Sequence, residues 1–322
     1  MRRYLENNRD LVKILLIYFF LTFVMGYIDF DRRVLTFERS TQALESVVKG
    51  DFNPPMNHRI LVPYTVYFFH KVSHISLEYS YALFRFLFYF LAFALFHMYL
   101  RKWFGQKTAM IGTLSLIASL PLTLTNWYSV PTDMPELIMF ILGVMWIRDG
   151  KHKNLFILIP LASLNRETSI ALVLIYFFNE IGKENWFVLI RRTAIYFLLW
   201  LIPSAILISI FGIRDLPGYF HHFRVNVAGL LKIFESPNPY NHFYFILYLC
   251  GFYWFLAFMN FRKKPSILKR ALIPMTLFLL YGFSRGGAIS EVRILIPFYV
   301  FIIPLGLFSL FGEEEAISSA KE

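Results

Sequence analysis

Five residues, Leu164-Asn165-Arg166-Glu167-Thr168, interrupt an apolar run over residues 155–178 and restrict the chain more than any other stretch. Read as one transmembrane helix, the run would carry an Asn, an Arg and a Glu near the bilayer centre. Ionisable groups there cost several kcal/mol each and survive mainly in functional interiors. Two half-helices, residues 155–164 and 169–178, avoid that cost. At 1.5 Å per residue each covers roughly half of a 30 Å hydrocarbon core. The flanks agree, since Lys151 and Lys153 precede the run and Arg191 and Arg192 follow it. Positive loops stay in the cytoplasm, so a single crossing would strand one cluster outside, whereas a hairpin keeps both inside. The pattern predicts a re-entrant hairpin with Arg166 and Glu167 at its apex, toward the outer half of the membrane and facing protein or water.

The remaining chain fits a bilayer. Of 322 residues, 57% are hydrophobic and 19% aromatic, which is too apolar for a soluble globular protein. The net charge of +11 does not signal nucleic acid, because the Lys and Arg residues cluster between apolar runs as topology signals do. Cys250 is the one cysteine, so neither an intramolecular disulfide nor a thiolate cluster is available. The first apolar run, residues 11–28, follows Arg2, Arg3, Arg9 and Lys13. No small-residue cleavage site follows it, so it reads as a retained helix with its N-terminus inside.

Further spans are expected at residues 81–100, 108–125, 134–147, 193–211, 243–259, 271–283 and 294–310. The fold class is therefore all-α, a polytopic transmembrane helix bundle. It has about eight spans plus one re-entrant half-helix hairpin, forming a single domain over 1–322 with both termini cytoplasmic in the cell membrane. Residues 29–79 form a first outer loop with interfacial helical pieces at 36–49 and 60–70, and residues 212–241 form a second.

Inner loops hold Lys and Arg with little other chemistry. The outer side carries Asp29, Asp31, His58, Arg59, Asp133, Arg166, Glu167, His221, His222, Arg224, Arg285, Glu291 and Arg293. Arg and carboxylates on the wrong side for topology point to an anionic ligand, with Arg forks on phosphate and an acid beside them. Bland readings stand beside each feature. Asp29 and Asp31 suit acid/base work or a metal, or are solvated loop acids. His58 and Arg59 equally suit snorkelling at the interface, and Asp133 a helix cap. Arg166 and Glu167 point apart on a helix, so each needs another partner. Glu291 and Arg293 equally suit an anchor for the last helix.

This arrangement resembles the GT-C glycosyltransferases over most of the chain. The resemblance rests on an acid at the outer end of the first helix, a long first outer loop with amphipathic pieces, the turn Asp133-Met134-Pro135, and Arg166-Glu167 at a broken helix. It implies a hexosyltransferase, mostly inverting, that moves a sugar from a polyprenyl-phosphate carrier to a hydroxyl acceptor on the extracytoplasmic face. Asp29 or Asp31 would be the catalytic base. His58, Arg59, Asp133, Arg166, Glu167, Arg285, Glu291 and Arg293 would bind substrate, with Glu167 orienting Arg166. No cofactor is implied, and a divalent metal is left open. The partners are the lipid-linked sugar, its acceptor and the lipid bilayer, not nucleic acid. A lipid-linked saccharide transporter and a non-catalytic carrier-binding subunit are the alternatives.

Overall fold

The computed structural model describes residues 2–31, 34–51, 56–123, 131–212, 223–224, 226–228, 231, 253–285 and 292–312. Among these residues every regular element is helical: α1 (Arg2–Asp31), α2 (Val34–Lys49), α3 (Leu61–Ser73), α4 (Leu77–Leu100), α5 (Gln106–Thr123), α6 (Asp133–Arg148), α7 (Leu155–Asn165), α8 (Ile170–Glu180), α9 (Trp186–Phe211), α10 (Tyr253–Phe258), α11 (Ser266–Arg285) and α12 (Tyr299–Phe311). Short 3-10 turns precede α3, α7, α8, α11 and α12.

Four of these stretches are long and apolar enough to cross a membrane: Asp10–Asp29, Leu77–Leu100, Trp186–Phe211 and Arg293–Phe311. They differ in what they face. α12 is apolar all round and almost wholly buried, as a central helix must be. Tyr99 of α4 donates to the Val300 carbonyl at 2.8 Å, and Ser309 donates to the Leu256 carbonyl at 2.7 Å, so α4 and the α10 segment are fastened to it. α9, by contrast, leaves Ile202, Ile206 and Ile210 exposed on one face, as a helix against lipid does. Its start is capped by Asn185, whose side chain accepts from the Phe187 N–H at 2.9 Å. Its end is closed by Gly212 at φ 79°, a conformation that favours glycine.

The apolar run at 155–178 is broken. α7 ends at Asn165, Arg166 is extended (φ −165°, ψ 139°), and a 3-10 turn, Glu167–Ser169, leads into α8. The break follows from its side chains, which reach partners on other elements instead of continuing an apolar face. At the far ends the two halves meet. His152, just before α7, lies 3.9 Å from Glu180 at the end of α8 and 3.7 Å from Glu184. Each half is 11 residues long and rises about 16 Å toward the break. α9 packs along both halves.

Side-chain pairings separate two ends of the bundle. At the basic end Lys102 pairs with Asp149 at 2.7 Å, Arg148 donates to the Lys102 carbonyl at 2.6 Å, and Arg270 donates to the Asn179 and Ile181 carbonyls. Burial of Asp149 is outweighed by the hydrogen bond and charge of Lys102, with Arg148 adding to it, so its carboxyl is held below the usual range. Arg166 lies at the other end. Small residues let the helices close up between the two, notably Gly143 of α6, where an added Cβ would lie 2.8 Å from Leu172 of α8.

Two expectations need correction. The outer segment 29–79 holds its expected helical pieces as α2 and α3, but its bounds shift, since α1 continues to Asp31 and α4 already begins at Leu77. Asp29 is therefore in the last turn of a helix and not in a loop. The loops at the basic end also carry more than Lys and Arg. His152, Glu180, Glu184 and Arg192 assemble there, with Asn179 donating to Glu180 at 2.5 Å. Sequence order hid this because Glu180 and Glu184 come at a helix end, some thirty residues after His152.

Candidate functional site

The polar residues at the helix break define the site. Arg166 donates through Nη1 to Asp133 Oδ1 at 2.9 Å and to Glu136 Oε2 at 2.6 Å. Both acids come from the first turn of α6, three residues apart and so on one helix face. Thr168 donates to the other Glu136 oxygen. Asn165 donates to the Thr132 carbonyl at 3.1 Å, which ties the break to the start of α6. Asp133 is not a helix cap: Thr132 occupies that position, and the Asp133 carboxylate is spent on Arg166, with Arg293 Nη1 at 3.7 Å.

Glu167 turns the other way. It accepts a two-pronged contact from Arg59, Nη2 to Oε1 at 2.6 Å and Nε to Oε2 at 3.3 Å. The expectation that Glu167 orients Arg166 is thereby corrected, because adjacent side chains on a tight turn diverge. Arg59 is delivered by the 3-10 turn before α3. His58 Nε2 donates to the Gly212 carbonyl at 3.0 Å, which holds that turn against the end of α9. The Glu167 side chain is 47% exposed, whereas those of Arg166, Asp133 and Glu136 are 5%, 9% and 4%, so the cluster has an open rim and a closed floor.

A third pair adjoins. Asp29 of α1 is 2.5 Å from Arg85 of α4, which also meets the Tyr89 hydroxyl at 2.9 Å and the Tyr81 hydroxyl at 3.4 Å. Asp133 acts on Arg85 electrostatically, and Arg59 acts on Glu136, so the pairs lie within electrostatic range of one another. Together they hold four guanidiniums (Arg59, Arg85, Arg166, Arg293) and four carboxylates (Asp29, Asp133, Glu136, Glu167). The formal charges cancel. Of the guanidiniums expected to hold an anion, Arg59, Arg166 and Arg293 are described and face acids, because an uncompensated Arg in so dry a place costs too much.

The pairing is incomplete at the atomic level. Arg166 Nε, Asn165 Oδ1, Thr132 Oγ1 and Ser169 Oγ are buried without a hydrogen-bond partner. Such atoms are rare in folded proteins and cost about 1–3 kcal/mol each, which marks a place where water or a ligand belongs. A cavity of about 30 Å³ borders Glu136 and Thr168, closed on the other side by Met275, Gly282 and Phe298. It has room for water and none for a sugar ring.

Of the residues singled out from sequence, Asp29, Arg59, Asp133, Arg166, Glu167 and Arg293 belong to this cluster, and His58 supports it. The side chains of Asp31 and Arg285 lie outside the described residues, as do Glu291, His221, His222 and nearly all of the second outer loop, 212–241. Glu136, Thr168 and Arg85 were missed as site residues. Glu136 carried a legible signal, an acid one turn after Asp133 in an apolar helix. Among the described residues, no group of three or more His, Cys, Asp or Glu side chains is placed to hold a metal ion.

Fold and site together define a helical bundle, four of whose described helices are long and apolar enough to cross a membrane, with a buried, charge-balanced polar centre near one end. No family model, no curated protein and no solved structure matches this chain.

Proposed function

We propose that the chain is a multi-pass membrane glycosyltransferase. In this reading it has about eight crossings, the α7–α8 pair is re-entrant, and both termini lie on the cytoplasmic side with the basic end. The Arg166 end then faces the extracytoplasmic compartment, where a sugar passes from a polyprenyl-phosphate carrier to a hydroxyl acceptor. The observation that carries the proposal is that the Asp29–Arg85 pair, at the end of the first helix, lies within electrostatic reach of Asp133, which pairs with Arg166.

Asp29 takes the acceptor hydroxyl's proton while the acceptor oxygen bonds to the anomeric carbon. The bond from that carbon to the carrier phosphate breaks, and its electron pair leaves with the phosphate. A placed general base contributes about two to four powers of ten. Arg85 orients the Asp29 carboxylate. The carrier phosphate enters at the exposed rim, displaces Glu167 from Arg59 and receives charge stabilisation there, while the sugar stays on the rim side of the closed floor.

The test is Asp29→Asn in protein reconstituted with a panel of polyprenyl-phosphate hexoses. At least a hundredfold loss of carrier-phosphate release is expected. Because the substitution strips Arg85 of its partner, Asp29→Asn/Arg85→Gln serves as the charge-balanced control, folded and equally inactive. Full activity in Asp29→Asn and in Asp29→Asn/Asp31→Asn would remove the first-helix acids from the mechanism.

A second reading, translocation of the lipid-linked sugar, gains from the His152–Glu180–Glu184 cluster, because polar groups are then present near both ends. Carrier movement without cleavage of the sugar–phosphate bond would select it.

A further inference from the structure

Away from the charged cluster, an apolar groove of about 660 Å³ runs between the α10 segment and α11 and ends at three cations, Arg262, Lys269 and Arg270. Its body is lined by Trp254, Phe258, Leu272, Ile273 and Leu277. None of the described residues lining it is acidic. This is the reverse of the Arg166 end, where Arg59, Arg85, Arg166 and Arg293 each face a carboxylate.

The cations also have donors to spare. Lys269 uses one N–H on the Arg262 carbonyl at 2.7 Å, and an ammonium has three. Arg270 uses Nη1 on the Asn179 and Ile181 carbonyls, at 3.0 and 2.9 Å, out of a guanidinium's five N–H bonds. Arg262 is exposed. An anion there meets three positive groups without breaking an existing bond. A small free anion would leave the long apolar wall unused, and a neutral lipid would leave the cations unmatched. Only a molecule with a phosphate at one end and a hydrocarbon chain behind it matches both. Trp254 adds a detail, since its buried Nε1 has no hydrogen-bond partner and suits an ester carbonyl.

We propose that this groove holds one anionic phospholipid from the leaflet at the basic end. Its phosphate lies against Arg262, Lys269 and Arg270, and one acyl chain lies along Trp254, Phe258 and Leu277. Basic pockets between membrane helices on the cytoplasmic side bind such headgroups. The site is independent of the transfer reaction and belongs to the opposite end of the bundle.

The experiment is fluorescence quenching of the full chain in nanodiscs by dibrominated phosphatidylglycerol or dibrominated phosphatidylcholine. The chain has six Trp residues, so the Trp254 signal is isolated by subtraction of a Trp254→Phe variant. Trp254 should reach half-quenching at a several-fold lower mole fraction of the anionic lipid. Each surface cation is worth about fivefold in affinity, so Arg262→Gln/Lys269→Gln should erase the preference while Lys269→Arg keeps it. Equal quenching of the native chain by the two lipids overturns the proposal and needs no variant. A preference that survives the double substitution also overturns it. No quenching by either lipid, with cross-links forming between two chains through Leu277→Cys, would give the groove to a second copy.

Discussion

Arg166→Met isolates the energetics of the cluster. The substitution keeps side-chain bulk and removes a guanidinium whose side chain is 5% exposed, leaving two carboxylates that are 9% and 4% exposed. Glu136 would retain only Thr168, and Asp133 only Arg293 at 3.7 Å. Breaking a buried ion pair by removing one partner costs about 3–5 kcal/mol, most of it the penalty on the stranded charge. Unfolding entropy of about 2.1 cal/mol/K per residue, scaled to 322 residues, converts 4 kcal/mol into a fall in Tm of about 6 °C. The double variant Arg166→Met/Glu136→Gln restores charge balance and leaves Asp133 with Arg293, so it should recover more than half of that loss. The assay is thermal unfolding in detergent, read as the monodisperse fraction surviving each temperature. A single variant within about 1 °C of the native protein would refute the reasoning, and so would a double variant no more stable than the single, since either outcome means the carboxylates are solvated.

Other predictions follow from the same geometry. Arg59→Lys loses the two-pronged contact, but Glu167 is 47% exposed, so the cost should stay near 1 kcal/mol; a loss above about 3 kcal/mol in the same assay would mean that the rim is sealed. Gly143→Ala drives a methyl to 2.8 Å from Leu172, costing about 1–3 kcal/mol less about 1 kcal/mol of gained helix propensity. Leu172→Val should restore stability to that variant, and failure to do so would place the strain elsewhere. Asp149 has a lowered carboxyl pKa, so its stabilisation is present above the ordinary value of 3.8 and is lost as pH falls through the folded value below it. The Tm difference between the native protein and Asp149→Asn should therefore be constant above about pH 5 and shrink toward zero below about pH 3.8, and a difference that grows on acidification would reverse the assignment.

The break at Arg166 was legible because a polar pentapeptide inside an apolar run has few places to go. Which groups it would meet was not. Arg85 and Asp29 are 56 positions apart in sequence, and Arg59 and Glu167 are 108 apart, so only the packing of α1, α4 and the α3 approach brings them together. Glu136 is a different kind of miss. Asp133 was weighed as a lone cap, and a helical register started at Asp133 would have put both acids on one face. Which acid stands beside each Arg was not legible, since sequence order gives charge by compartment while burial demands charge by neighbour. The helical pieces of the outer segment were legible, because apolar stretches too short to cross a bilayer still suffice for short helices.

The cancellation of charge among Arg59, Arg85, Arg166, Arg293 and their four acids has an electrical meaning. A transmembrane voltage does work only on net charge displaced through it, so rocking this assembly as a unit costs about the same at any resting potential. On the proposed function, that indifference ends when one phosphate docks or one carboxylate takes a proton. From then on each elementary charge feels about 2.3 kcal/mol per 100 mV, scaled by the fraction of the field it crosses. Occupancy, not motion, would make this end of the molecule sensitive to membrane energisation.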